Sequence, residues 1–320
     1  MTHVPHHYLS VVVPVHNEAE GITAFHDSLV GIIQHVGAYE ILYCNDGSSD
    51  TTMQSLNAIA QANEHVRVLT LTRNFGKEIA ISAGIEHARG DAILMLDADG
   101  QHPVELIPEF IKSWKAGYKV VTGLRTANQK EGLVKRYGSR LFYSIFRRST
   151  SFDLVAGATD FRLIDQEVRK EFLRLSERSR IVRGLIDWLG YEQHYIPFVA
   201  NPRLLGKSPY SYRKLSKLAV DSVVSLSSVP LYLTAFMGVI VLPLSVLLGL
   251  FMTIEMLIGD PLQLHITGGA FVLVLVLFLV GCVLMSQGII GLYLAHIHSE
   301  TQNRPLYVID NAASVRLNET

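Results

Sequence analysis

The sequence predicts an α/β protein: a mostly parallel sheet with helices between its strands, then a basic amphipathic helix at a membrane surface, then two transmembrane helices. Three observations predict this. Short β-branched runs alternate with longer helical stretches through the first two-thirds of the 320 residues, as in right-handed βαβ units. Each of these runs is followed by a polar cluster. Two apolar stretches near the C-terminus are long enough to cross a bilayer.

Leu9–Val15 (LSVVVPV) reads as a buried strand, and His16–Gly21 as a polar loop opening a helix that extends to about Val36. Glu40–Cys44 is a second strand, closed by Asn45–Thr52, whose turn residues and N-cap candidates start a helix ending near Ala62. Val66–Leu71 is a third strand, followed by Arg73–Lys77 and a helix to His87. Ile93–Leu96 has the length and composition of a buried parallel strand. It ends in Asp97-Ala98-Asp99-Gly100-Gln101-His102. Pro103 suits the first turn of a helix over Val104–Ala116, and Lys119–Thr122 is another strand.

In parallel sheets ligands bind beyond the carboxyl ends of the strands. His16–Glu20, Asn45–Asp50, Arg73–Lys77 and Asp97–His102 all follow strands, so they are expected to meet on one rim. A lone DxD more often caps a helix as a solvated turn. Here three other polar clusters accompany it. Asp97, Asp99 and Gln101 form an oxygen-rich donor set suited to Mg²⁺ or Mn²⁺ over a diphosphate. Asp46 or Asn45 can hydrogen-bond a base or ribose, and Glu18 can accept from sugar hydroxyls. Arg73, Lys77 and Arg125 can approach phosphate oxygens, although single basic residues are more often plain surface charges. A nucleoside diphosphate linked to a transferable group is the economical ligand.

Composition removes several classes. A net charge of −1 argues against a nucleic-acid partner. No G-x-G-x-x-G follows the first strand and no G-x-x-x-x-G-K-[ST] occurs, which disfavours dinucleotide oxidoreductases and P-loop enzymes. Cys44 and Cys282 are too few for a disulfide framework or a zinc site. MTHVPHHYLS lacks a basic n-region and an apolar h-region, so no signal peptide is read and the soluble part is expected in the cytoplasm. His3, His6 and His7 read as a flexible polar leader.

Residues 201–230 are basic and aromatic, with Arg203, Lys207, Tyr210, Tyr212, Arg213, Lys214 and Lys217. Leu215, Leu218, Ala219, Val223 and Leu226 follow at helical spacing. This is the pattern of an interfacial helix with cations near lipid phosphates. Within residues 231–296, Leu231–Ile254 and Ile266–Leu294 are the two spans, each sufficient for roughly 30 Å of hydrocarbon. The connector Gly259–His265 carries no Lys or Arg, so it is expected outside, with both termini cytoplasmic. Pro243 is expected to kink the first span, and Glu255 to sit at its outer interface. Gly281, Ser286, Gly288 and Gly291 are candidate close-packing positions.

VVVPVHNEAE, NDGSSDTT, LTRNFGKE and LDADGQHPVELIP, in this order, resemble glycosyltransferase family 2 with its Rossmann-like GT-A fold. More narrowly they are similar to the polyprenyl-phosphate glycosyltransferases. The likeness continues through GATDFRLID, RSRIVRGLIDWLGY and NRPLYVID, nearly the whole chain. It implies a cytoplasmic catalytic domain over residues 1–200 and a cytoplasmic C-terminal tail over 297–320. Pro14, His16 and Glu18 match the nucleoside loop, and Asp46 the acid that contacts the base; Asn45 stands where the family usually has a second Asp. Asp97, Ala98, Asp99 and Gln101 match the diphosphate and metal site, with Asp99 and Gln101 as direct ligands. Arg125 matches a G-S-R position, with Leu124 replacing the small residue. Asp160 matches the catalytic acid or base. Arg203, Lys207 and Ser208 match the region near the acceptor phosphate, with Pro209 where the family usually has Lys.

The resemblance implies an inverting, metal-dependent transferase at the inner membrane, working on a cell-envelope glycan, with UDP-glucose and undecaprenyl phosphate as first choices. GDP-mannose and other UDP-sugars stay open, and a homo-oligomer such as a tetramer fits the likeness. A processive polysaccharide synthase is disfavoured by the lack of a Q-x-x-R-W block. The non-enzyme alternative is a membrane-anchored nucleotide-sugar-binding scaffold, against which Asp97, Asp99, Gln101 and Asp160 all stand intact.

Overall fold

The computed structural model describes residues 8–126, 155, 157–178, 180–201, 247, 250, 251, 254, 258 and 268–317. The chain divides into two compact units. One takes in Met1–Arg147, Ser151–Pro209 and Arg304–Thr320; the other takes in Arg148–Thr150 and Tyr210–Asn303.

The first unit is built on seven strands: β1 (Leu9–Val15), β2 (Tyr39–Asn45), β3 (Val66–Thr70), β4 (Ala92–Met95), β5 (Val120–Arg125), β6 (Ala158–Asp165) and β7 (Gln193–Phe198). They form one sheet in the order β3-β2-β1-β4-β6-β5-β7. Pairing is parallel everywhere except at β6, which runs antiparallel to both neighbours. Helices α1 (Ile22–Ile33), α2 (Thr52–Ala62), α3 (Lys77–His87), α4 (Ile107–Lys115), α5 (Gln166–Arg174) and α6 (Val182–Trp188) complete the unit. The expected α/β architecture is therefore present, with one reversed strand.

Both faces of the sheet are covered. Val11, Val13 and Val15 pack in one core with Phe25, Leu29, Leu56 and Phe110. Val12, Leu42, Leu69 and Ile93 pack in the other with Ala80, Ile81, Ile85 and Phe172. A strand buried on both faces needs apolar residues at successive positions, which is why β4 and most of β1 read as continuous runs rather than alternating ones.

The expected helix over Val104–Ala116 is corrected. Val104–Leu106 is a single 3₁₀ turn, and α4 begins only at Ile107, with Pro108 in its first turn. Pro108 has no N–H to give the Val104 carbonyl and its ring would press on that carbonyl, so an α-helix cannot run through from Val104. At the helix start the missing donor costs nothing.

The second unit contains α7 (Gly268–Thr301), which covers the second expected span from Gly268 onward and continues past Leu294. Its Phe278–Ala295 window has a mean hydropathy of 1.9, long and apolar enough to cross a membrane. Leu247, Leu250, Phe251, Ile254 and Ile258 are helical and exposed. The rest of the first expected span, the interfacial helix, Pro243, Glu255, the connector and His3, His6 and His7 lie outside the described residues.

Beyond α7 the chain rejoins the first unit from Arg304. Residues 304–317 run along the free side of β3, making antiparallel bridges Leu71↔Ile309 and Val68↔Val315. Thr72 N–H donates to the Val308 carbonyl, Asp310 N–H to Thr70, and Val68 and Val315 exchange both bonds. An uncovered edge would offer these groups to other chains. Arg67 joins the layers beneath: its Nη1 donates to Glu40 Oε2 at 2.7 Å and to the His87 carbonyl at 3.0 Å. Its Nε and Nη2 donate to the carbonyls of Arg316 and Leu317 at 3.3 and 3.2 Å. The Glu40 carboxylate is buried and also accepts from Arg89 N–H. Arg67→Ala strands that charge, and its expected cost is roughly 3–5 kcal/mol in denaturant unfolding. Arg67→Lys restores part of it, because an ammonium cannot reach all four acceptors at once.

Candidate active site

The carboxyl ends of β1, β2, β3 and β4 share one rim, and three loops there are knitted to one another. Asn17, in the left-handed region at φ 56°, accepts Ser49 N–H through Oδ1 at 2.9 Å and donates its own N–H to Ser48 Oγ. Glu18 N–H donates to Thr52 Oγ1 at 2.9 Å. His16 Nδ1 donates to the Asp46 carbonyl at 2.9 Å, which leaves Nε2 to accept from Asn74 Nδ2 at 3.1 Å. Gly47 permits the closest approach: a Cβ there would lie 2.4 Å from the Arg73 carbonyl carbon, at a φ of +58°. No other residue fits.

Asp46 is buried, and its carboxylate holds the loop after β3. Oδ1 accepts Phe75 N–H at 2.7 Å and Oδ2 accepts Gly76 N–H at 2.9 Å. Asn45, also buried, accepts from Ser48 N–H and Oγ through Oδ1. Asp46 thus builds the loop after β3 and Asn45 the loop after β2, tasks that sequence alone did not separate from contact with a base. Arg73 lies over the Phe75 ring, 3.9 Å from its centroid.

The loop after β3 delivers Lys77, the first residue of α3. Its Nζ is 2.7 Å from Asp97 Oδ1, 2.9 Å from Asp97 Oδ2 and 2.7 Å from Asp160 Oδ2. The two acids meet for a simple reason. β4 and β6 pair antiparallel up to Met95↔Arg162, and Asp97 and Asp160 each lie two residues beyond that last pair, so both emerge at the same end of the ladder. Like charges brought together repel, and Lys77, bridging both, offsets that repulsion. Only a reversed strand puts Asp160, near the start of β6, on the same rim as residues that follow the other strands.

Burial pushes the Asp160 carboxyl up, but the Lys77 ammonium overrides this and holds it below the ordinary carboxylate range. Burial likewise lowers Lys77, and the two carboxylates more than reverse it. His102 Nδ1 accepts Asp97 N–H at 3.1 Å, so Nε2 carries the ring proton. Its ring stacks on Phe161 with 5.2 Å between centroids. Burial keeps this histidine below its ordinary pKa, against the pull of Asp97. Asp99 Oδ1 accepts Gln101 N–H at 3.0 Å, and the Gln101 carbonyl accepts Asn201 N–H beyond β7.

The structure thus gathers Pro14, His16, Glu18, Asp46, Lys77, Asp97, Ala98, Asp99, Gln101 and Asp160 at one end of the sheet, with Arg125 exposed at the end of β5. Arg203, Lys207 and Ser208 lie outside the described residues. Two neighbours were not singled out by sequence. Glu78 Oε2 accepts Val182 N–H at 2.7 Å, at the start of α6. Arg183, exposed on α6, adds positive charge that lowers both Asp160 and Glu78. Only the acid next to Lys77 in LTRNFGKE hinted at the first.

The family model described as "Glycosyl transferase family 2" matches residues 10–173. The chain belongs to glycosyltransferase family 2. Within the family it is 36% identical over 304 residues to the uncharacterised glycosyltransferase sll0501 of Synechocystis, covering 95% of each chain. It is 36% identical over 306 residues to the bactoprenol glucosyl transferase of Shigella phage SfV, covering 95% of this chain and 98% of that one. It is 34% identical over 304 residues to a prophage bactoprenol glucosyl transferase homolog of Escherichia coli. Among solved structures, mannosyl-3-phosphoglycerate synthase from Rubrobacter xylanophilus superposes with a TM-score of 0.48 at 18% identity, covering 68% of this chain and 72% of that one. This family 2 chain is accordingly a transferase of sugars.

Glu78 offers a test of the site's electrostatics. Burial, followed by the charge of Asp160, pushes its carboxyl up to about 7. A raised acid favours the folded state while protonated, so that stability is present below its unfolded pKa and is lost as pH rises through about 7. Glu78→Gln keeps an acceptor for Val182 N–H and cannot ionise. It is expected to be more stable than wild type at pH 8, on the order of 1–3 kcal/mol. Thermal unfolding at pH 5 and pH 8 should show the gap closing at the lower pH.

Proposed function

We propose that this transferase moves a hexose, glucose from UDP-glucose before other donors, onto a polyprenyl phosphate such as undecaprenyl phosphate at the cytoplasmic face of the inner membrane. The observation that carries the reading is the meeting of Asp97, Asp160 and Lys77 beside Asp99 and Gln101 on the rim where three loops interlock. The names of the Shigella and Escherichia coli relatives support a lipid acceptor, and α7 supports attachment to a membrane. Two spans, with the soluble unit and both termini on the cytoplasmic side, complete the proposal.

The residues fit a hard divalent ion. Asp97, Asp99 and Gln101 offer oxygen donors, and among the described residues no three His, Cys, Asp or Glu side chains form a cage sufficient by themselves. Magnesium commonly takes one or two carboxylates and completes its shell with water and phosphate oxygens. Asp99 and Gln101, with Asp97, would hold Mg²⁺ or Mn²⁺, which supplies charge neutralisation for a departing diphosphate.

The chain's own groups do the rest. Pro14, His16 and Glu18 form the wall proposed for the nucleoside, with Asp46 fixing the loop opposite. Arg125 is the cation proposed for the donor, and Arg203, Lys207 and Ser208 are the groups proposed for the acceptor phosphate. A phosphate monoester loses its second proton with a pKa of about 6, so the acceptor is already a dianion near neutrality. Asp160 is held in its charged form by Lys77, well below the pKa near 7 that suits a general base. Asp160 therefore positions the sugar, and the lipid phosphate attacks in one displacement that inverts the anomeric centre.

A transfer assay in detergent with labelled UDP-glucose, GDP-mannose and UDP-N-acetylglucosamine, undecaprenyl phosphate and either metal tests the reading. Metal-dependent label in the lipid from UDP-glucose is expected; donor binding without transfer to any lipid would make the chain a scaffold. Asp99→Ala is expected to lower metal-dependent turnover at least a hundredfold. Asp160→Asn should keep a pH profile that follows the lipid phosphate, and loss of that profile would make Asp160 a base.

A further inference from the structure

Lys77 sits on Asp97, one of the carboxylates proposed for the metal. It engages both oxygens of Asp97 at 2.7 and 2.9 Å and bridges to Asp160 at 2.7 Å, which is how a chelated cation sits between two carboxylates. Its backbone cannot retreat. Gly76, at φ +103°, and Phe75 are both tethered to Asp46, and Lys77 opens α3 directly after them. Only the side chain is able to move. The trio is also open at the rim: the side chains of Lys77, Asp97 and Asp160 are 37%, 27% and 23% exposed. A soluble anion can reach Nζ.

We infer that Lys77 is an internal counter-ion that keeps the divalent metal off Asp97 until the diphosphate of the donor draws the ammonium away. The inference rests on the proposed metal–diphosphate site. Its logic is charge exchange. In the empty site one positive charge is shared between two carboxylates, so the trio keeps a single net negative charge. An ion of charge +2 arriving alone must either displace Lys77 or sit beside it, and both are unfavourable. A diphosphate arriving with the ion gives Lys77 a new anionic partner and frees Asp97. Metal and nucleotide therefore bind as a pair, each raising the affinity of the other by the same factor.

The test is direct Mn²⁺ binding by the full chain in detergent, followed by electron paramagnetic resonance of free Mn²⁺, without nucleotide and with saturating UDP or GDP. For wild type, nucleotide-free binding is expected to be weak and either nucleoside diphosphate to tighten it. Lys77→Met is expected to tighten nucleotide-free Mn²⁺ binding at least tenfold and to shrink the tightening due to nucleotide correspondingly. Arg183→Met removes a positive charge from the same neighbourhood without freeing Asp97, and is expected to change the nucleotide-free value less than threefold. If Asp97 and Asp160 repel too strongly for Lys77→Met to fold, Lys77→Met/Asp160→Asn keeps the same net charge as the wild-type trio and should show the same tightening. Mn²⁺ binding to wild type with nucleotide, but no nucleotide-free tightening in the Lys77 variants, overturns the inference alone. No Mn²⁺ binding to wild type even with UDP or GDP overturns the metal–diphosphate site and the inference together.

Discussion

Two carboxylates gathered at one end of neighbouring strands need a positive charge between them, and much of the rim is arranged to supply it. Asp97 and Asp160 emerge at the same end of the β4–β6 ladder, each two residues beyond its last pair. Lys77 satisfies both, and its place is set one step earlier by Asp46, which grips Phe75 and Gly76. Asp46 in turn sits against His16, whose ring reaches across to Asn74. The polar loops after β1, β2 and β3 are thus successive supports for one ammonium group. Each of these bonds joins residues distant in sequence, so the arrangement exists only in the folded sheet.

The same neighbourhood separates two acids by environment. Asp160 touches Lys77 and stays ionised, whereas Glu78, one residue after that lysine, bonds a backbone N–H instead and is pushed up to about 7. Opposite shifts in adjacent carboxyls are a common mark of functional sites. Here the difference comes from which donor each acid faces, an ammonium in one case and the first turn of α6 in the other.

Much of this was legible in the sequence because doubly buried parallel strands announce themselves as β-branched runs, and the polar residues after them then share a rim by topology. The reversed direction of β6 was not legible. Ala158–Asp165 mixes Thr, Asp and Arg with apolar residues, and strand direction leaves no trace in composition. The start of α4 was misplaced because Pro103 and Pro108 both suit a first turn, and only the carbonyl of Val104 discriminates between them. Asp46 and Asn45 were legible as site residues through their motif. Their bonds to loop backbone depend on which amides come near, and no spacing records that. The partner of Lys77 was hidden for the same reason: 83 residues separate it from Asp160.

The segment that closes the β3 edge has a consequence for how the molecule is made. Arg67 and the Arg316 carbonyl it bonds are 249 residues apart, with all of α7 synthesised between them. While the ribosome is still producing the apolar helix, β3 has its inner partner but not its outer one, and the buried Glu40–Arg67 pair lacks its lid. Completion of the sheet must wait until the chain has passed through that helix. Stalled or shortened chains would display an open strand edge, the kind of surface by which a cell's quality control can recognise an unfinished protein.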